Sequence, residues 1–418
     1  MRVLAHSGAA LAALVGAPVV LVGLALRPGW REGWRERLGA APRVEPGGVW
    51  VHGASVGESL AALPLHDALR ARGFATLAST TTVTGRAVLR ERRRDLPVAL
   101  APLDHPWCTA RALDRARPRA LVLVETELWP SWTAAAARRG IPVIAVSARL
   151  SDRSFPRHRR FAFALGPTLR RLAAVGARSR EDAERFVALG VPAERVEVTG
   201  DLKLEPPREP PRLAGELAAF LADAPLFVAG STHPGEESAA LAALGALEGA
   251  GRRAALVLAP RHPERFDEVE RLVRDAGRRV HRRSRLAGGA RLGAGEVLLL
   301  DTLGELAAVY GLARSSFVGG SLVPRGGHNV LEPVVAGSPV LFGPHTENAR
   351  AGVELVLAAG AGGRVTSAED LARGLLDAWG SPEAARARAE LARAVLDRHQ
   401  GASQRSADLV ERVLRAGG

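Results

Sequence analysis

Cysteine is almost absent from the sequence, because Cys108 is the only one in 418 residues. A single cysteine excludes an internal disulfide framework and a zinc site built from several thiolates, and it indicates a reducing compartment. Aromatic residues make up only 4% of the chain, with Tyr310 as the one tyrosine. The chain therefore lacks an aromatic platform on which single strands stack, and it also lacks zinc-finger, homeodomain and RNP-type motifs. We expect no nucleic-acid partner.

The motifs of the common metal and nucleotide enzymes are also missing. The sequence contains no HExxH, no Asp-x-Asp and no histidine pair at helical spacing, so we expect no metal ion and no other cofactor. A Walker A motif is absent, and no complete GxGxxG follows the first predicted strand. Kinase and dehydrogenase functions are therefore disfavoured.

Basic residues are in clear excess. The formal net charge is +13, the sequence pI is about 11.3, and hydrophobic residues account for 47% of the chain. This composition allows large apolar cores, and the excess charge favours anionic partners. With nucleic acid disfavoured, anionic lipid headgroups and phosphorylated substrates remain.

The N-terminal stretch is long and uncharged. No charged residue occurs from Ser7 to Leu26, Arg2 precedes the stretch, and a heavier arginine cluster follows it. The length favours a membrane anchor over residues 1–28, and a cleaved signal peptide is the alternative. Because the basic cluster comes after the stretch, the positive-inside rule places the following domains in the cytoplasm.

Short apolar runs alternate with amphipathic helical patterns along most of the remaining chain. Such alternation predicts an α/β protein with parallel, doubly wound sheets. Four prolines between Pro206 and Pro211 interrupt the pattern, which predicts a hinge over residues 205–212. We expect two Rossmann-like domains, residues 29–204 and 213–390, facing across a cleft. Residues 391–418 form a further helix that crosses back in this interpretation.

Acidic residues follow two predicted strands of the first domain. Glu58 opens a helix after the strand ending at His52, and Glu125 follows the strand Leu121 to Val124. Strand C-terminal ends form the ligand crevice of doubly wound sheets. A carboxylate near a helix N-terminus stays ionised and can accept a proton from a hydroxyl. Lys203, in Gly200-Asp201-Leu202-Lys203, is a candidate for balancing anionic charge.

The second domain carries a glycine-rich stretch from Ser316 to Arg350, which we interpret as a nucleotide site. Paired glycines let backbone N–H groups approach a phosphate, and a helix starting near Asn329 would add its positive end. Glu332 in the first turn is a candidate for binding ribose hydroxyls. Arg261, after another strand, is a candidate phosphate ligand. His233, His262, His328 and His345 also lie at predicted strand ends.

Taken together, these segments resemble the 3-deoxy-D-manno-octulosonic acid (Kdo) transferases that glycosylate lipid A precursors. The motifs that carry the resemblance are Ser55-Val56-Gly57-Glu58, Glu125 to Pro130, Gly200 to Lys203, Ser231 to Glu237, Pro260 to Phe266 and Phe317 to Asn348. The resemblance implies a GT-B glycosyltransferase that needs no metal and transfers Kdo from CMP-Kdo to lipid IVA with inversion. The cytoplasmic membrane surface is then the expected site of action.

The resemblance also implies roles for individual residues. Glu58 matches the general base, whereas Glu125 and Lys203 match residues that stabilise the transition state. The implied CMP contacts are Pro260, Arg261, Leu303, Gly304, Glu305, Asn329, Val330, Leu331 and Glu332. Two alternatives stay open: another GT-B sugar-nucleotide transferase or epimerase, and a non-catalytic protein that binds anionic lipids or sugar nucleotides.

Overall fold

The computed structural model describes residues 32–44, 47–151, 154–160, 162–206, 213–286 and 288–416. They form two compact units, one containing the described residues up to 202 together with those from 401 onward, the other those from 203 to 400. The predicted anchor (residues 1–28) and most of the predicted hinge lie outside the described residues. Among the described helices, none has the length and apolar character needed to span a membrane.

The first unit is built on a seven-stranded parallel sheet with the order β3-β2-β1-β4-β5-β6-β7. Its strands are β1 Val49–His52, β2 Thr76–Thr80, β3 Val98–Leu100, β4 Ala120–Val124, β5 Val143–Ala148, β6 Leu172–Ala177 and β7 Val196–Val198. β1 to β5 are buried along their whole length. Such burial explains the near-continuous apolar runs, since helices cover both faces of a parallel sheet.

The helices of this unit connect the strands in turn. They are α1 Trp34–Arg37, α2 Val56–Ala61, α3 Leu63–Ala71, α4 Val83–Arg92, α5 Pro106–Ala116, α6 Pro130–Ala137, α7 Phe155–Arg160, α8 Ala162–Leu169 and α9 Arg180–Ala188. Two apolar clusters lie on the two faces of the sheet. Trp50 and Trp132 belong to one, and Val51 and Val122 belong to the other.

The second unit is also built on a seven-stranded parallel sheet, with the order β10-β11-β9-β8-β12-β13-β14. Three strands lie on each side of β8 here, whereas two lie on one side of β1 and four on the other in the first sheet. Its strands are β8 Leu226–Thr232, β9 Ala255–Pro260, β10 Val280–Arg282, β11 Val297–Leu299, β12 Ala313–Val318, β13 Val340–Phe342 and β14 Gly362–Arg364. Its helices are α10 Gly215–Leu221, α11 Glu236–Gly249, α12 Phe266–Asp275, α13 Leu306–Val309, α14 Leu331–Val335, α15 Arg350–Ala358, α16 Ala368–Gly380 and α17 Pro382–Asp397.

The final helix, α18 (Ala402–Ala416), belongs to the first unit. Its apolar face, including Leu409 and Val410, joins the cluster formed by Val51, Val122 and Leu69. The predicted boundary between residues 390 and 391 falls inside α17, which continues to Asp397 within the second unit. The amphipathic stripe of a helix shows that it packs, but it does not show on which surface.

The prediction of an α/β protein with two Rossmann-like domains is confirmed. In each sheet the strand order reverses between two neighbouring strands, β1 and β4 in the first unit and β8 and β12 in the second. Loops at the carboxyl ends of such strands diverge to opposite faces and leave a crevice where ligands bind. The two reversal points are therefore the places to examine for function.

Candidate active site

Glu58 lies at the reversal point of the first sheet, in the first turn of α2. It forms a capping box with Ser55: the Ser55 Oγ accepts the Glu58 N–H at 3.2 Å, and the Glu58 Oε2 accepts the Ser55 N–H at 3.4 Å. The same oxygen also accepts the Ala54 N–H at 2.8 Å. The Ser55 hydroxyl also donates to Glu58 Oε1 at 2.8 Å. These contacts fix the orientation of a partly exposed carboxylate at the end of β1. The motif therefore caps the N-terminus of α2 and places a proton acceptor at the carboxyl end of β1.

The loop after β4 lies beside this carboxylate, because β1 and β4 are adjacent and in register from Val49–Ala120 to His52–Leu123. Glu125 is the first residue after β4 and adopts φ 63°, the left-handed region that disfavours a residue with a Cβ. Its N–H still donates to the Val146 carbonyl at 2.9 Å, so the strained residue is held by the β5 strand. Backbone strain of this kind is common at functional sites.

Glu127 is a third carboxylate in this region, and the sequence analysis did not assign it a role. The Trp129 indole N–H donates to Glu127 Oε2 at 2.7 Å. Burial raises the pKa of Glu127, and the negative charges of Glu58 and Glu125 raise it further, while the Trp129 hydrogen bond opposes them. Three carboxylates thus share one electrostatic environment at the end of β1 and β4.

A buried polar chain supports this loop from behind. The Trp50 indole N–H donates to Ser79 Oγ at 2.8 Å, and Ser79 Oγ lies 3.0 Å from His52 Nδ1. The serine hydroxyl that accepts from Trp50 is free to donate to His52, and burial lowers the pKa of His52 to about 4. The neutral His52 ring packs against Trp129 with centroids 6.1 Å apart. The core thereby fixes the position of the Glu125–Trp129 loop.

Lys203 is the only lysine in the sequence. In the second unit it lines a small cavity of about 80 Å³ together with Asn329, Leu331 and Glu332. The structure therefore brings one predicted transition-state residue next to three predicted CMP contacts. Just before it, Asp201 is buried and accepts a hydrogen bond from the Ser147 hydroxyl at 3.2 Å, which orders the turn leading to Lys203.

The glycine-rich loop after β12 differs from the sequence-based interpretation. Its N–H groups are directed at a protein carboxylate: Glu236 accepts the N–H groups of Gly320, Ser321 and Leu322 at 2.7, 3.0 and 2.9 Å. Glu236 is buried, and it also accepts the His233 N–H at 2.9 Å. Gly320 and its neighbours are thus held in place by α11, and the expected phosphate loop of free N–H groups is not what forms there.

The helix predicted from Asn329 is also smaller than expected. α14 begins at Leu331, has five residues, and Val330 precedes it in αR conformation. One turn supplies little macrodipole, so the positive end of a helix contributes less here than the sequence suggested. Arg325, Asn329 and Glu332 are exposed to solvent. Exposed polar side chains around the cavity remain accessible to a ligand.

The other predicted nucleotide contacts follow two more strands of the same sheet. Pro260 ends β9, and the Arg261 N–H donates to the Thr232 carbonyl at 3.0 Å, beside the reversal point.

The predicted contacts Leu303 and Gly304 lie in the turn before the four-residue helix α13. Leu303 is 85% exposed, and Gly304 is also exposed. Glu305 accepts two hydrogen bonds of 3.1 Å from Arg283, one from Nε to Oε2 and one from Nη2 to Oε1. The part of the chain that the structure describes holds no group of three or more metal-ligating side chains.

Comparison with known proteins identifies relatives of the whole chain. A family model described as 3-deoxy-D-manno-octulosonic-acid transferase matches residues 32–205. The chain is 39% identical to the 3-deoxy-D-manno-octulosonic acid transferase of Bordetella pertussis over 89% of its own length and 88% of the relative. It is 34% identical to the enzyme of that name in Haemophilus influenzae, covering 80% and 81% of the two chains.

A solved structure supports the architecture. MurG from Acinetobacter baumannii matches with a TM-score of 0.55 at 16% identity, covering 88% of this chain and 100% of the other. At this level of identity the match shows the fold alone. With it, the prediction of a GT-B glycosyltransferase fold is confirmed.

Proposed function

Because the chain belongs to the family of 3-deoxy-D-manno-octulosonic acid transferases, we propose that it transfers Kdo from CMP-Kdo to the lipid A precursor lipid IVA. The observation that carries the proposal is 39% identity to a relative of that name over 89% of the chain. The side chains support it, since the first unit carries carboxylates at the ends of β1 and β4 and the second unit carries Lys203 and Arg261. Kdo transfer itself belongs to lipopolysaccharide biosynthesis.

Glu58 is the general base in this proposal. Its carboxylate accepts the proton of the acceptor hydroxyl as the hydroxyl oxygen attacks the anomeric carbon of Kdo. The bond between that carbon and the phosphate oxygen breaks, CMP leaves with the electron pair, and the configuration inverts. The capping box holds the carboxylate still during this step, which reduces the reorganisation needed in the transition state.

Glu125 and Lys203 stabilise the charges that develop as the glycosidic bond breaks. The sugar acquires oxocarbenium character, which a carboxylate favours, and the departing phosphate gains negative charge, which an ammonium group favours. The CMP contacts are Pro260, Arg261, Leu303, Gly304, Glu305, Asn329, Val330, Leu331 and Glu332. Since Arg261 and Lys203 supply positive charge, the reaction in this proposal needs no metal ion or other cofactor.

The acceptor is a membrane lipid, so the protein works at the cytoplasmic face of the inner membrane in this proposal. Trp34 and Trp107 are 48% and 54% exposed. Arg35 lies over the Trp34 ring at 5.8 Å, and Arg111 lies over the Trp107 ring at 5.1 Å. Aromatic rings next to arginine are suited to the headgroup region of an anionic membrane. Replacing both tryptophans by serine should reduce co-sedimentation with anionic vesicles and leave turnover of a detergent-dispersed acceptor intact.

The decisive experiment incubates the purified protein with CMP-Kdo and tetraacyl lipid A precursor and weighs the lipid product by mass spectrometry. We expect the mass of one or more added Kdo residues. Glu58→Gln should lose at least about a hundredfold of the rate, the order expected for removing a general base. Its amide oxygen can still complete the capping box, so the variant should fold.

Glu383→Gln is the matched control, since Glu383 is an exposed glutamate in the first turn of α17. It should transfer Kdo at the normal rate. A folded wild-type protein that yields no Kdo adduct, or that turns over a UDP-sugar in place of CMP-Kdo, would overturn the proposal. Full activity of Glu58→Gln would overturn the assignment of the base alone.

A further inference from the structure

Two histidines face each other at the reversal point of the second sheet, and the mechanism above does not use them. His233 follows β8, and His328 lies in the loop after β12. Their Nε2 atoms are 2.9 Å apart, and the two ring planes differ by only 4°. A hydrogen bond between two imidazole nitrogens needs one N–H and one lone pair. One ring therefore carries its proton on Nε2, and the other carries it on Nδ1.

The surroundings of this histidine pair are strongly basic. Arg261 and His262 follow β9, and Arg325 lies in the same loop as His328. Burial and then the neighbouring basic groups lower the pKa of each paired histidine to about 4; Arg261 and His262 act on both rings, Arg325 and Arg265 on His233. His262 also packs against His233 with ring centroids 5.2 Å apart.

The nearby carboxylates are already committed to other groups. Glu236 accepts four backbone N–H groups, from His233, Gly320, Ser321 and Leu322. Glu237 pairs with Arg265 at 2.6 Å. Glu264 lies 3.7 Å from His262 and is exposed. Within the described ranges, no ion pair involves Arg261 or Arg325, so these two positive charges lie near the histidine pair without a carboxylate partner of their own.

The loops that carry the pair are held by backbone contacts rather than by the imidazoles. Gly327 N–H donates to the Gly320 carbonyl at 2.8 Å, and His328 N–H donates to the Gly319 carbonyl at 3.3 Å. Gly320 has φ 68°, and a Cβ there would lie 2.9 Å from the His328 ring. The turn therefore needs glycine to admit the ring. A histidine side chain can be changed here without removing what fixes the loop.

We propose that the His233–His328 pair binds the anionic group of the donor, a phosphate or a carboxylate, and takes up one proton as the anion arrives. The identity of the donor rests on the proposed function. The added proton goes to Nδ1 of the ring that donates through Nε2. The N–H···N bond then survives, and both Nδ1 atoms become donors.

The physical reason is linkage between anion and proton. A nearby negative charge favours the protonated form of an imidazole, so a bound anion raises the pKa of the pair from its low starting value. The protonated pair in turn binds the anion more tightly. Anion affinity should therefore increase as the pH falls through the pKa of the complex, and it should level off below the pKa of the free pair, about 4.

The test follows the histidine resonances of the full chain, labelled with ¹³C at Cε1, as a function of pH. Inorganic sulfate is the first probe because it remains a dianion throughout the titration, and CMP and free Kdo are the others. We expect an anion to raise the pKa of the pair by about one unit, equivalent to tenfold tighter binding to the protonated form. A shift with CMP and sulfate assigns the phosphate; a shift with Kdo alone assigns the carboxylate.

His233→Gln and His328→Gln are the informative variants. Glutamine can keep one hydrogen bond to the remaining ring, but it cannot gain a proton. The double variant should bind the effective ligand about fivefold more weakly at pH 4, a loss of ~1 kcal/mol, and it should lack the rise in affinity that the wild type shows as the pH falls below 6. His281→Gln is the control, since His281 lies in β10 and bonds to Glu296 at 2.9 Å.

The outcomes separate the two proposals. If CMP, sulfate and Kdo leave both resonances unmoved, or if the double variant binds like the wild type, the pair is only a structural brace and the inference is wrong. If CMP shifts the pair but no Kdo is transferred to the lipid, the anion site stands and the proposed function falls.

Discussion

Glu236 Oε2 accepts the backbone N–H of Gly320 at 2.7 Å, although 84 residues separate them in the sequence. The same carboxylate holds Ser321, Leu322 and His233 through their N–H groups. A single buried side chain at the start of α11 therefore connects the loop after β8 to the loop after β12. Burial raises its pKa, and these backbone hydrogen bonds partly offset that effect.

Replacing this carboxylate should loosen the donor half of the site. Glu236→Ala leaves four N–H groups without their acceptor, and each unsatisfied buried donor costs about 1–3 kcal/mol when water cannot reach it. We expect a loss of at least roughly 4 kcal/mol in the free energy of unfolding and faster hydrogen exchange at Gly320, Ser321 and Leu322. Glu248 lies on the same helix as Glu236 and forms a partly exposed ion pair with Arg278. Glu248→Ala removes this ion pair and should cost less than about 1 kcal/mol. Equal losses in the two variants would contradict this role.

The strained backbone at Glu125 predicts a trade between stability and activity. Glu125→Ala removes the carboxylate and keeps the unfavourable φ of 63°, whereas Glu125→Gly removes both. A left-handed conformation costs a residue with a Cβ about 1–2 kcal/mol, so the glycine variant should unfold at higher urea concentration than the alanine variant. Both should lose Kdo transfer. If the alanine variant is as stable as the glycine variant, the conformation stores no strain.

The single lysine permits a chemical test of the small cavity. An amine-reactive reagent should modify the side chain of Lys203 and no other side-chain amine, and CMP should slow the reaction if it occupies the space shared with Asn329 and Glu332. Lys203→Ala should lower the transfer rate by about a hundredfold, the scale for losing one charge-stabilising donor. Lys203→Arg should restore part of the rate because the charge remains. Unchanged labelling at saturating CMP would place the nucleotide elsewhere.

A buried histidine in the first unit predicts acid sensitivity. Burial, followed by the charges of Arg93 and Arg70, lowers the pKa of His66 from 6.5 to about 3. Below pH 6.5 His66 is protonated in the unfolded chain but stays neutral in the folded chain. The free energy of unfolding is therefore highest above pH 6.5 and falls as the pH drops toward 3. The contribution is at most about 1.4 kcal/mol per pH unit.

His66→Leu should flatten the decline in stability between pH 6.5 and 3, measured by urea unfolding at a series of pH values. It also removes a buried Nδ1 that has no hydrogen-bond partner in the described part of the chain, so it should cost little stability at neutral pH. His105→Asn, at an exposed helix cap, is the control and should leave the slope unchanged. An unaltered slope in His66→Leu would assign the acid sensitivity to other groups.

Much of the fold could be predicted from the sequence because the signals are local. The ends of β1 at His52 and of β4 at Val124 were predicted to the residue. β7 and β14 were missed because they are three residues long and partly exposed, and β14 reads Gly362–Arg364. An edge strand of this kind is formed by its neighbour's hydrogen bonds, and its own residues carry little apolar pattern.

The sequence by itself determined the alternation of strands and helices, the capping box at Glu58 and the family, because each of these depends on residues close together in the chain. Only the tertiary structure decided that Glu236 takes the N–H groups of the glycine loop, that Glu127 joins the other carboxylates, and that His233 meets His328. Those relationships depend on which strands become neighbours. Strand order is set by packing of the whole sheet, and no short segment encodes it.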